Sequence, residues 1–559
     1  MSFMERFQRH RTLYLSIVAL LCLAAGWAAY RYFSMERYTG TSRIRVDLRY
    51  PDMRLVTRNL AELPKDVADT PMLRGLVDEA LVFHYEEDET RLSLEGSLRR
   101  LAYEHKLELQ DHLLSAMLDA PATIGLWRSG NGRPEHYVVA LERSFLGKLV
   151  ETVARIALDD RQLKQAGSFA IGRRTLPLLT LDLGGGRTLA FVAAGDRWVF
   201  LSNPALVLDA NNQMTADGAD ILDQLLDGDD PWRKDLPASA SAKHSFVVGA
   251  KALTLNYAHF LPALQGLRFD HDGKAWHPEL RLDPNALPGN DALKESFDTL
   301  WRAVPAGAAA CAAVPVNWTQ ATAPVKALVV GDAVNEKAVA ATIGALDPLG
   351  AVCWFADSRF NAPLFVARTR GEWPAETVQV LAAVADSAWS AQTGDEEKVE
   401  VTDNAAGEAQ RFAASVPSLH GLRDKNTGEP GFEPTLARHG KTLYFSPDRR
   451  NVDAALAVAD KQAMALGDLG ALQGKSVWLF YDPQRLGRLT RAEVQNVLPS
   501  DDESFFREVA RQRLWPRLDA WGQRQKAAAW VAGQAAGEGF VALDVVPVGN
   551  AGARDTAAR

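Results

Sequence analysis

Gly125–Leu141 reads GLWRSGNGRPEHYVVAL and Val352–Arg368 reads VCWFADSRFNAPLFVAR, and the two stretches align Trp127 with Trp354 without a gap. Each is an apolar strand, a polar turn containing Gly or Asn, and a returning apolar strand, which is the pattern of a β-hairpin. Helical periodicity follows both, over Ser144–Leu158 and Pro374–Trp389. Further along, GDRWVFLSNPALVLDA opens at Gly195 and GKTLYFSPDRRNVDAA at Gly440: a turn glycine, a strand, then a polar residue and a proline. Asn203 or Ser446 is placed to cap a helix, and Pro204 or Pro447 fits the first helical position, where a missing N–H is harmless. Strands follow again, His244–Val248 as HSFVV and Ser476–Tyr481 as SVWLFY. Similar phrases, Leu63-Pro64-Lys65-Asp66 and Val304-Pro305-Ala306-Gly307, precede the two series.

This order predicts an α+β fold: two tandem copies of an antiparallel-sheet-plus-helices unit, at 45–290 and 291–548, after a single N-terminal transmembrane helix. Turns at Ser129–Gly132, Leu183–Gly186 and Asp270–Gly273 link neighbouring strands and imply antiparallel, meander-like pairing. The seam is expected in Leu282–Asp291, punctuated by Pro284, Pro288, Gly289 and Asn290. A chain of 559 residues is also too long for one core, since cores stop growing at roughly 250–300 residues. The polar end, 549–559, is expected to be disordered.

Thr12–Tyr30 is a run of nineteen uncharged residues between Arg11 and Arg31. As a helix it would be about 28 Å long, close to the hydrocarbon thickness of a bilayer. The expectation is a short cytoplasmic tail, 1–11, and a transmembrane helix, 12–30, held in the lipid bilayer. A cleaved signal peptide and a buried core helix are the alternatives. A short basic start before an apolar run places the remaining chain outside the cytoplasm. The 62 basic and 70 acidic residues give a net charge of −8, so no overall basic field attracts nucleic acid, and no nucleic-acid partner is expected. Of three cysteines, Cys22 falls in the apolar run, leaving Cys311 and Cys353 in the exported part. An even pair in an oxidising compartment permits one disulfide; two buried thiols are the other reading.

Enzyme signatures are sparse. Gly474-Lys475-Ser476 lacks the earlier glycine of a phosphate loop and precedes a strand instead of a helix. Gly184-Gly185-Gly186 joins two strands. The acidic runs Glu86–Glu89 and Asp501–Glu503 read as helix starts, where negative charge complements the macrodipole. Asp270-x-Asp272-Gly273 resembles the start of a calcium loop, but Lys274 takes a ligand position and His277-Pro278 interrupts it. The eleven histidines are scattered singly; His271 and His277 flank a turn, and His84, beside the acidic run, could converge in space with His105 on the helix that follows, although a lone histidine is more often a satisfied or surface residue. No catalytic residue, cofactor or metal ligand is assigned, and candidate site residues are confined to Cys311 and Cys353.

With the apolar run, Leu63-Pro64-Lys65-Asp66, Phe83–Leu107 (FHYEEDETRLSLEGSLRRLAYEHKL) and Leu201-Ser202-Asn203-Pro204 in view, the chain resembles the YfaA-like proteins of Gram-negative bacteria, a family of unknown function. The resemblance implies a single-pass inner-membrane protein with its bulk in the periplasm, often encoded beside an α2-macroglobulin-like protease trap. The expected role is a non-enzymatic binding or scaffold protein of the envelope, with an α2-macroglobulin-like protein as a partner. A periplasmic hydrolase with its site between the halves, and a carrier of an apolar ligand, are the alternatives.

Overall fold

A computed structural model of the chain describes residue 44 and residues 46–68, 119–129, 134–142, 163–184, 187–254, 260–287, 290–329, 334–393, 399–403, 409–414, 435–497, 510–537 and 539–548. The expected tail 1–11, the apolar run 12–30, the acidic run Glu86–Glu89, His84, His105, Asp501–Glu503 and the end 549–559 lie outside these residues. The chain falls into two compact units, Met1–Glu62 with Tyr85–Asp235 and Leu63–His84 with Leu236–Arg559.

In the first unit the strands are β1 (Met53–Thr57), β2 (Ala122–Arg128), β3 (Pro134–Glu142), β4 (Leu163–Ile171), β5 (Arg174–Gly184), β6 (Arg187–Ala194) and β7 (Arg197–Leu201). They pair antiparallel in the order β1-β2-β3-β7-β6-β5-β4. The hairpin read from Gly125–Leu141 is β2–β3, with Ile124 opposite Val139 and Leu126 opposite Tyr137. Gly125 and Trp127, two residues apart, share a buried face. Trp127 meets Trp232 edge to face at 5.6 Å. Both indole N–H groups are satisfied, Trp127 Nε1 donating to the Asp47 carbonyl at 2.9 Å and Trp232 Nε1 to the Leu48 carbonyl at 2.8 Å. Helix Ala216–Asp227 covers this core with Ile221, Leu222, Leu225 and Leu226, capped by the Thr215 side chain and ended by Gly228 at φ 93°.

The second unit contains β8 (His244–Gly249), β9 (Leu264–His271), β10 (Trp276–Leu282), β11 (Ala308–Pro315), β12 (Leu349–Phe355), β13 (Leu364–Arg368), β14 (Val399–Asp403), β15 (Ala409–Ala414), β16 (Thr435–His439), β17 (Thr442–Ser446), β18 (Val477–Tyr481), β19 (Ala528–Gly537) and β20 (Phe540–Pro547). These join into one sheet, β8-β9-β10-β20-β19-β18-β11-β12-β13-β17-β16-β15-β14, antiparallel at every step. Helix Asn290–Trp301 buries Phe297, Leu300 and Trp301 against it, alongside Phe480, Tyr444 and Val477. Cys311 and Cys353 are directly opposed in β11 and β12, fully buried and joined by a disulfide.

Four expectations are corrected. The fold is mostly large antiparallel sheet with some helices, not two tandem α+β units. The seam expected near residue 290 falls inside a continuous sheet, because β10 from before it pairs with β20 from the chain's end, Leu280 opposite Val541. Strand alternation reveals which face is buried but not which strand covers an edge, and an open edge must be covered. Among the described residues no helix is long and apolar enough to cross a membrane, so the transmembrane helix has no counterpart in the described fold. Finally, the helix after β17 is Arg449–Ala459, capped by the side chain of Asp448, while the Ser446 hydroxyl accepts from the Asp448 N–H one step earlier.

Candidate functional site

The sheet formed by β8, β9 and β10 carries polar rows on both faces, in a region where burial would favour apolar residues. On one face His244, Phe246 and Val248 of β8 oppose His271, Phe269 and Leu267 of β9, and His271 in turn opposes Trp276 of β10. The two imidazoles stack at 5.5 Å, and Trp276 lies 5.0 Å from His271 and 6.1 Å from His244. The short helix Leu63–Ala68 delivers Asp66 to this row. Its backbone is held there by Trp276, whose Nε1–H donates to the Asp66 carbonyl at 2.9 Å.

Around Asp66 the polar atoms converge. His244 Nε2 lies 2.8 Å from Asp66 Oδ2, His271 Nδ1 lies 3.6 Å from the same oxygen, and the Lys243 ammonium donates to it as well. Because a carboxylate only accepts, His244 donates through Nε2–H. His271 differs: Nδ1 accepts from the Gly273 N–H at 3.3 Å. Two acceptors, Asp66 Oδ2 and His271 Nδ1, thus face each other. His244 is completely buried and His271 nearly so, whereas the Asp66 and Lys243 side chains are 15% and 24% exposed. Burial pushes the His244 imidazole pKa down, against its hydrogen bond to Asp66, so the ring is neutral near pH 7. At Asp66 burial works upward, but the hydrogen bonds from Lys243 and His244 outweigh it and hold the carboxyl below its ordinary range.

The other face is a closed ion cluster. Arg268 Nε donates to Glu279 Oε2 at 2.8 Å and lies 3.1 Å from Asp270 Oδ2, with its guanidinium 4.1 Å above the Phe540 ring. Asp270 also accepts from the Ser245 hydroxyl at 2.6 Å, whose oxygen in turn accepts from the Ser239 N–H at 3.1 Å. Burial pushes the Glu279 carboxyl up, against the neighbouring Arg268 charge.

Asp66, His244 and His271 each offer a ligand atom, all within 4.8 Å of one another.

Along the sequence these residues stand apart: Asp66 closes the phrase Leu63-Pro64-Lys65-Asp66, His244 opens a strand, and His271 flanks a turn. The calcium-like Asp270–Gly273 is a hairpin turn in which Asp272 Oδ1 accepts from the Lys274 and Ala275 N–H groups at 2.8 and 2.9 Å. Gly474 sits in a turn before β18 and donates its N–H to Asp298 at 3.1 Å. A cleft of about 290 Å³ in the first unit is walled by Ile44, Val46, Leu48, Leu206 and Leu208 and edged by Asp217. That volume is just below the roughly 300 Å³ at which small-molecule sites begin.

The family described as "Uncharacterized protein conserved in bacteria (DUF2138)" matches residues 14–544. The chain belongs to this family. It is 31% identical over 505 residues to "Uncharacterized protein YfaA" of Escherichia coli (strain K12), a similarity covering 87% of each chain. No solved structure matches the chain. The YfaA-like resemblance carried by Leu63-Pro64-Lys65-Asp66 and Leu201-Ser202-Asn203-Pro204 therefore extends over most of the sequence. Membership of DUF2138 assigns no residue a role, so the chemistry of the Asp66 cluster rests on its geometry.

Proposed function

We propose that the protein is a non-enzymatic binding or scaffold protein of the cell envelope, tethered to the inner membrane with its body in the periplasm. The observation that carries this reading is the Cys311–Cys353 disulfide, set between directly opposed strand positions in the core of the second unit. Such bonds persist in oxidising compartments and are rare where thiol reductants are abundant. The uncharged run Thr12–Tyr30 between Arg11 and Arg31 supplies a tether of the right length. The partner class is an α2-macroglobulin-like envelope protein, as the family resemblance implies.

The test is fractionation of a Gram-negative host carrying the full chain, combined with maleimide labelling under denaturing conditions before and after reduction. Recovery with the membranes, and labelling of Cys311 and Cys353 only after reduction, is the expected result. Recovery from the soluble cytosol with both thiols free overturns the proposal.

A further inference from the structure

We infer that Asp66, His244 and His271 form a binding site for a divalent transition-metal ion of the zinc class, with the Lys243 ammonium occupying the carboxylate until the metal displaces it. The inference goes beyond the envelope role and does not depend on it.

Geometry comes first. Zinc bound by histidine nitrogen and carboxylate oxygen at about 2.0–2.1 Å in a tetrahedron sets neighbouring ligand atoms about 3.3 Å apart. The Asp66–His244 and Asp66–His271 edges are 2.8 and 3.6 Å, and the remaining edge is within 4.8 Å. Shifts of a few tenths of an ångström along the two Asp66 edges bring those atoms to the required spacing. The facing acceptors, Asp66 Oδ2 and His271 Nδ1, form an arrangement that a cation between them relieves.

Donor type comes next. Two imidazoles and one carboxylate suit zinc and its neighbours, whereas calcium and magnesium favour all-oxygen cages. Three protein ligands leave a fourth position for water or for a donor from a bound partner. The supporting shell is already built: Trp276 stacks on the His244 ring, packs at a tilt against His271 and fixes the Asp66 backbone, so the ligands are held by packing and hydrogen bonds. The buried imidazoles are approached from the side where Asp66 and Lys243 are partly exposed. An ion arriving there competes with the Lys243 charge. When the metal binds, His244 Nε2 must give up its proton to Nδ1 or to solvent, and the single lone pair of His271 Nδ1 must leave the Gly273 N–H for the ion, which frees that N–H to bond solvent.

The experiment is titration of the full-length, metal-stripped protein with Zn2+ against a chromophoric chelator, and with Co2+ followed by visible absorption. One ion per chain and the d–d bands of a tetrahedral nitrogen and oxygen site are expected. Asp66→Asn and His271→Ala each weaken binding by more than about a hundredfold, beyond the usual effect of outer-shell changes. Lys243→Met tightens it by at least about tenfold, because the competing charge is gone. His277→Ala, at an exposed histidine on the same hairpin, leaves it unchanged. The wild-type Co2+ spectrum keeps the test decisive if a ligand variant fails to fold. No stoichiometric binding, an octahedral spectrum, binding lost with His277, or weaker binding by Lys243→Met overturns the inference.

Discussion

Replacing Gly125 by alanine adds a single methyl group between two buried indole rings of the first unit. A Cβ built there lies 2.8 Å from the distal ring carbon of Trp127 and 2.8 Å from that of Trp232. Neither ring is free to retreat, because each indole N–H is anchored to a backbone carbonyl on the Asp47-Leu48 segment. Overpacking of a filled core costs about 1–3 kcal/mol. Two anchored contacts place Gly125→Ala near 2 kcal/mol, roughly a thirtyfold fall in the folded-to-unfolded ratio. The sign is diagnostic, since glycine to alanine within a strand would otherwise stabilise by about 0.5–1 kcal/mol. Urea unfolding followed by tryptophan fluorescence measures it. Trp127→Phe shortens one of the two rings, so the double variant should lose less than the sum of the single losses. A Gly125→Ala midpoint at or above that of the wild type, or strict additivity with Trp127→Phe, refutes the packing argument.

Two further outcomes follow from buried groups in the second unit. Tyr444 is fully buried, and burial pushes its phenol up to about 12, against a hydrogen bond with Thr442. The folded pKa lies above the unfolded value near 10, so this contribution is complete below about pH 10 and is lost as pH rises toward 12, about 3 kcal/mol in all; Tyr444→Phe should flatten that part of the stability profile, and an unchanged alkaline slope in urea midpoints contradicts it. Arg268→Met leaves Glu279 and Asp270 buried without their cation and should cost about 3–5 kcal/mol by thermal or urea unfolding. Glu279→Gln should be much milder, since the amide keeps an oxygen to accept from Arg268 and burial already works against the charged carboxylate; equal losses in the two variants would remove the ion cluster as the cause.

The sequence made hairpins visible and sheet partners invisible, for a physical reason. Alternation around Trp127 and Trp354 records the period of a strand and the sense of its burial, and both stretches are hairpin arms, β2–β3 and β12–β13. The two tryptophans nevertheless sit differently: Trp127 is packed against Trp232, while Trp354 Nε1 donates locally to the Phe360 carbonyl at 3.0 Å. Gly125 is demanded by the first arrangement, and Val352 is tolerated by the second. Nothing local specifies that Leu280 will meet Val541. The candidate site was hidden in the same way. His244 and His271 are 27 positions apart, a spacing that matches no ligand motif, and only strand register unites them. One signal was present: each histidine sits at a position in phase with apolar neighbours, Phe246 and Val248 in one strand and Phe269 and Leu267 in the other. A histidine in the inward phase of a strand is out of place unless something meets it.

The partnership of β10 with β20 also sets a timetable. The ribosome finishes β10 long before it reaches Phe540, and at typical rates of synthesis the interval is on the order of tens of seconds. During that time the nascent chain exposes a strand whose rightful neighbour does not yet exist, so completion of the sheet is reserved for the finished polypeptide. A sheet joined by strands so far apart in sequence therefore ties its stability to residues made long after its first strands.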